Sequence, residues 1–121
     1  MPYTSSQNGT VERSIQTSEG NVRAMLKGAN QGVAFWDEAV MAQAHIRNRT
    51  SIEPELNGSP TTPLEHWIGQ KPSVDHIRVW GPRCFCYVNP KSLPDRKDSL
   101  MDRARLGMLV GYANTDKQYR I

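Results

Sequence analysis

Apolar residues recur at three- and four-residue steps through the first part of the chain, at Val11, Ile15, Val22, Met25, Leu26 and Ala29. That period places them in one stripe along a helix, which predicts an amphipathic helix with one buried side. Thr4 and Gln7 have capping-box spacing, in which a hydroxyl satisfies a free helix amide and the glutamine reaches back, so the helix is expected to start near Ser5. Gly20 interrupts the stripe as a weakness of about 1 kcal/mol against alanine or as a point of close packing. Gly28, Asn30 and Gly32 offer stop and turn conformations. A second helix is predicted from about Val33 to Asn48, with Phe35, Trp36, Ala39, Val40, Ala42 and Ile46 apolar. Asp37 and Glu38 near its start and Arg47 and Arg49 near its end suit the helix dipole, which accounts for those four charges without a functional role.

The pattern then changes period. Glu53-Pro54-Glu55 and Asn57-Gly58-Ser59-Pro60 are acidic and rich in turn formers, so residues 51–69 read as a connection between a helical part, 1–50, and a β part, 70–121. Within that connection, Thr62 as N-cap, Pro63 at the first helical position, Glu65 at the third and Gly69 as terminator predict a short helix that turns Leu64, Trp67 and Ile68 inward. Ile77, Val79, Phe85, Tyr87 and Val88 suggest one or two strands broken at Gly81-Pro82, and Met108, Leu109, Val110 and Tyr112 suggest another. Asn114 to Lys117 reads as a polar turn and Gln118 to Ile121 as the start of a return strand. The fold class expected is α+β. At 121 residues the parts are small, and small parts bury a low fraction of their surface.

Composition narrows the classes of function. No apolar run approaches the ~20 residues that span a bilayer, and polar residues follow Met1 at once, so neither a membrane segment nor a secretory leader is expected. The location expected is intracellular, the nucleus included. Asn8-Gly9-Thr10, Asn48-Arg49-Thr50 and Asn57-Gly58-Ser59 match glycosylation acceptors, which carry no meaning without secretion. Cys84 and Cys86 have the same-face spacing of a strand and not that of a redox or zinc pair, so both read as reduced, buried thiols. His45, His66 and His76 lack partners at metal-ligand spacing and read as packing or hydrogen-bonding residues, and Trp36, Trp67 and Trp80 read as core. Net charge is +1 over residues 1–50, −3 over 51–70 and +5 over 71–121. The basic last third suits a polyanion, because Lys and Arg near phosphates release condensed counterions.

The candidate chemistry lies at the first helix entry. Helical offset places Asn8 and Glu12 on one face, with Gly9 removing side-chain bulk where another backbone can approach, so that face is suited to meet a phosphate backbone. Tyr3-Thr4-Ser5-Ser6-Gln7-Asn8-Gly9-Thr10-Val11-Glu12-Arg13 resembles the segment around the last acidic residue of the integrase catalytic core in copia-type retrotransposons. Further blocks continue the resemblance in order: Phe35-Trp36-Asp37-Glu38-Ala39-Val40, Asn48-Arg49, Thr62-Pro63-Leu64-Glu65-His66-Trp67, Gly69 to Gly81, Gly111-Tyr112 and Tyr119-Arg120. Pro82 departs from it, standing where a cysteine commonly follows the glycine, and Met101-Asp102 replace an aspartate-proline pair.

The resemblance implies the C-terminal helices of a ribonuclease H-like integrase core, followed by a small SH3-like β-barrel whose last strand or strands are expected to be missing. It implies phosphoryl transfer at DNA ends with two magnesium or manganese ions, for which Glu12 would be a catalytic metal ligand. The family's other two ligands are aspartates upstream of the position of Glu12, and this chain begins only eleven residues before it. Asp37, Asp75, Asp95, Asp98, Asp102 and Asp116 lie elsewhere, so the isolated chain is expected to hold no metal tightly and to catalyse no strand transfer.

DNA is the partner implied, together with other integrase chains or upstream polyprotein segments. Gln7, Asn8, Arg13, Arg78, Arg103 and Arg105 are the candidate DNA contacts, with Arg83, Lys91, Arg96 and Lys97 as further phosphate-binding candidates. The competing reading is a captured fragment that serves as a protein-interaction module through its β domain and open strand edge.

Overall fold

The computed structural model describes residues 8–52, 60–89, 103–113 and 118–121. Helix α1 spans Gly9–Gly28 and a 3-10 turn at Val33–Phe35 leads into α2, Trp36–Thr50. Helix α1 opens at Gly9 with Asn8 as N-cap and no side-chain cap bond, later than the start expected near Ser5. Thr4 and Gln7, on which that expectation rested, lie outside the described residues. Asn30 ends the helix in the left-handed region, at φ 53°. The helix runs unbroken through Gly20, where a Cβ would meet nothing within 4 Å, so this glycine is a propensity cost and not a packing contact.

The short helix α3, Pro63–Ile68, forms as its spacing predicts: Thr62 Oγ1 accepts from the Glu65 amide at 3.2 Å, and Gly69 closes the turn at φ 72°. Its apolar residues are another matter. Trp67 is 86% exposed and Ile68 is exposed as well, which corrects their expected inward packing. Six residues make fewer than two turns, so only one narrow side can meet α2, and Leu64 is half-buried.

Strands β1, Arg83–Tyr87, and β2, Ala104–Met108, pair antiparallel with Phe85 opposite Leu106 and Cys86 opposite Arg105. Strands β3, Gly111–Tyr112, and β4, Tyr119–Arg120, form a second antiparallel pair, so the expected return strand is present. Among the described residues the strands make two two-stranded ladders and no closed barrel. Ile77 to Val79 are not a strand: the Ile77 amide donates back to the Val74 carbonyl at 3.0 Å, and the Arg78 amide donates to the Tyr112 hydroxyl at 3.2 Å. A turn carbonyl and a side-chain hydroxyl take these two amides in place of a neighbouring strand.

One small core joins the helices to the ladders. Val22 of α1, Ala39 and Ala42 of α2 and Trp80 are buried together, with Met25, Leu26, Ala29 and Tyr112 packed around them. The two alanines let the helix backbones approach, and the Trp80 side chain, 5% exposed, packs into the same cluster. Its indole N–H donates to the Val110 carbonyl at 2.7 Å. Next to it, Gly81 takes φ 86°, and a Cβ there would stand 2.2 Å from the Ala29 Cβ. Both the conformation and the space require glycine.

Two stability changes of opposite sign follow. Gly81→Ala forces a methyl group into α1 from a left-handed backbone and should cost about 3 kcal/mol or more in urea unfolding. Gly20→Ala meets open space in a helix interior and should raise stability by about 0.5–1 kcal/mol in the same measurement.

Candidate functional site

Glu12 lies in the first turn of α1, where the free amides of the helix start favour a negative charge. Its amide donates to the Asn8 carbonyl at 2.9 Å, so Asn8 and Glu12 stand one turn apart, as their offset predicts. Asn8, Glu12 and Arg13 are all exposed, and Gln7 lies outside the described residues. The Glu12 carboxylate makes no hydrogen bond or ion pair with any described residue.

Beside it runs an apolar groove of about 750 Å³ between α1 and α2, lined chiefly by Val11, Ile15, Val22, Leu26, Trp36 and Val40. The stripe expected to be buried is therefore buried only at Val22, and Trp36 is a groove wall, not core. Val11 and Ile15 belong to that wall while Glu12 sits a helical step around from them, outside the lining.

A divalent metal needs several oxygen ligands. Among the described residues no three His, Cys, Asp or Glu side chains converge where they would hold one. Glu12 alone does not fit a magnesium or manganese ion.

The arginine candidates divide. Arg105 stands opposite Cys86 in the ladder and Arg103 lies two residues before it, so both face the same side of the β1–β2 ribbon. Arg78 lines a pocket with Cys84, at the other end of that side, and its guanidinium donates to the carbonyls of Asp75 and Ile77 at 2.6 and 3.0 Å. Arg83 points to the opposite face of the ribbon. Arg13 belongs to α1 and joins none of them. Lys91, Arg96 and Lys97 lie outside the described residues.

Cys84 and Cys86 share the inner side, as their spacing predicts, but both are half-buried instead of fully buried. Desolvation, then the neighbouring Cys86 through its charge and a hydrogen bond, pushes the Cys84 thiol above its ordinary range.

A set of long-range contacts has no local signature in the sequence. His45 of α2 and His76 share a hydrogen bond at 2.9 Å between their Nε2 atoms. Tyr112 stacks on His45 with ring centroids 4.4 Å apart, and its hydroxyl donates to the Arg78 carbonyl at 2.7 Å. Tyr119 donates its hydroxyl to the His76 carbonyl at 2.8 Å. Arg120 of β4 pairs with Glu38 of α2, so Glu38 does more than complement its helix dipole. Only the chain reversals that create the ladders bring these residues together.

The whole chain is similar to the retrovirus-related Pol polyprotein from transposon TNT 1-94 of Nicotiana tabacum, at 31% identity over 121 residues, and it covers 9% of that protein. It is 28% identical over 118 residues to the retrovirus-related Pol polyprotein from transposon RE1 of Arabidopsis thaliana, and 26% identical over 118 residues to that from transposon RE2, covering 8% of each. Its homologues are thus retrovirus-related Pol polyproteins of plant copia-type transposons, at modest identity across the whole chain. The chain spans less than a tenth of the length of these curated relatives. No family model matches it. No solved structure matches it either.

Proposed function

We propose that the chain is a segment of a retrotransposon integrase, with the closing helices of the catalytic core in residues 1–50 and a basic, SH3-like DNA-holding part in residues 70–121. The observation that carries this reading is the unengaged Glu12 carboxylate, exposed at a helix start in a chain similar from end to end to retrotransposon Pol polyproteins. In this reading Glu12 is the last acidic ligand of a metal site completed by carboxylates from an upstream polyprotein segment. With those carboxylates Glu12 would help to hold a magnesium or manganese ion, which would supply charge stabilisation for phosphoryl transfer. This chain's own contribution is to present one carboxylate and to hold nucleic acid. Its partners are DNA and other integrase segments, and its place of action is inside the cell, the nucleus included.

Phosphate contact makes binding salt-dependent. Affinity for double-stranded DNA should fall steeply between 50 and 200 mM salt, on the order of tenfold or more, with a log–log slope reduced by about one for each of Arg103→Ala and Arg105→Ala. Absence of binding at low salt would remove the reading and favour a protein-interaction module.

Glu12 is tested separately. In a chain extended upstream to include the remaining acidic residues, Glu12→Gln should abolish strand transfer and leave DNA affinity unchanged. Survival of strand transfer would show that Glu12 is not a metal ligand.

A further inference from the structure

Strand alternation gives the β1–β2 ribbon two unlike faces. Cys84 and Cys86 mark the inner one, where Gly107 lies so close that a Cβ on it would stand 3.3 Å from the Cys86 sulfur and 2.4 Å from Ile121. Arg83, Phe85 and Tyr87 must therefore point outward, together with their cross-strand partners Met108, Leu106 and Ala104. On that outer face Phe85 is 77% exposed, Tyr87 69% and Leu106 61%. Neither aromatic ring stacks on another described ring.

Two large rings held side by side in water are costly to leave uncovered. Their neighbours indicate what covers them. Residues 83–89 and 103–108 of the ribbon contain Arg83, Arg103 and Arg105 and no Asp or Glu. A second copy of this chain would bring the same positive ribbon against the first. A polyanion that also presents flat apolar faces satisfies both the rings and the guanidinium groups. Nucleic acid has this chemistry, and only in single strands are its base faces free to leave their own stack.

Spacing agrees with such an occupant. Same-face residues two apart on a strand are about 6.7 Å apart, so the two rings present separate faces, one for each of two unstacked bases. Each ring can take one base face while the backbone runs along the ribbon. Resting on the reading that this chain holds nucleic acid, we propose that the outer face of β1 and β2 is a stacking platform for single-stranded nucleic acid. Phe85 and Tyr87 lie under bases, Arg83 reaches phosphate on the same face, and Arg103 and Arg105 draw the backbone around the ribbon edge.

The test is fluorescence anisotropy of the full chain with a labelled oligothymidine and with a duplex of equal length, at matched salt. The single strand should bind more tightly, and Phe85→Ala and Tyr87→Ala should each weaken it about fivefold or more while leaving duplex affinity within about twofold. Tyr87→Phe keeps the ring and should keep the affinity. Because both side chains are exposed, melting temperatures of the variants should match the parent, which separates lost contact from lost fold. Unchanged single-strand affinity in both alanine variants overturns the platform yet leaves the broader nucleic-acid reading standing. No binding of either oligonucleotide at low salt overturns both. Concentration-dependent self-association that Phe85→Ala abolishes, with single-strand affinity unchanged, assigns the face to a second copy and also overturns the platform.

Discussion

The described structure depends on one joint, at Trp80 and Gly81. Two helices with alanines at their contact bury little by themselves, and two short ladders bury less. Trp80 changes this by inserting a large ring between α1 and α2 while its N–H is held by the Val110 carbonyl at the root of β3. An aromatic amphiphile suits the place because its body needs an apolar pocket and its one donor needs an acceptor. Gly81 then lets the chain turn against Ala29 without a side chain in the way. Its amide donates to the Leu109 carbonyl at 2.9 Å, and the Leu109 amide returns to the Pro82 carbonyl at 3.1 Å. Helix packing and strand pairing therefore meet within three consecutive residues.

The polar contacts brace the same joint from outside. His45 and His76, stacked and capped by Tyr112 and Tyr119, tie the middle of α2 to the segment leading into Trp80. Glu38 and Arg120 tie the start of α2 to β4. These contacts are weak singly, the Glu38–Arg120 pair included, since water reaches the Arg120 guanidinium. Their value is positional: each spans elements that share little apolar area, and so each fixes an orientation that burial alone leaves loose.

Features governed by neighbours in sequence were legible. Thr62, Pro63, Glu65 and Gly69 specify α3 through capping and backbone chemistry, and the structure contains it. The parity of Cys84 and Cys86 specified their common side. Burial was less legible, because periodicity tells which residues share a face and not whether anything lies against it. Val11 and Ile15 share a face as predicted, yet with Trp36 of α2 they line an open groove; Trp67 has the residue type of a core and the exposure of a surface. At the candidate site, the Asn8–Glu12 offset could be read from helix geometry. The His45–His76 and Glu38–Arg120 contacts join residues far apart in the chain, and no local rule pairs them.

The separation of Glu12 from the basic ribbon has a physical logic. Glu12 needs no counter-charge to be tolerated, because the first turn of α1 already presents partial positive charge and solvent covers the rest. A carboxylate held in this way keeps its oxygens for a ligand, whereas one paired with arginine would have to break that pair first. Arg103 and Arg105 lie on the ribbon with Arg83 on its other face, beyond the joint at Trp80, so cation and carboxylate do not quench each other. Affinity for a polyanion and affinity for a divalent cation make opposite electrostatic demands on one surface. In the proposed reading the two demands fall on different elements, the carboxylate on a helix start and the guanidinium groups on a strand pair.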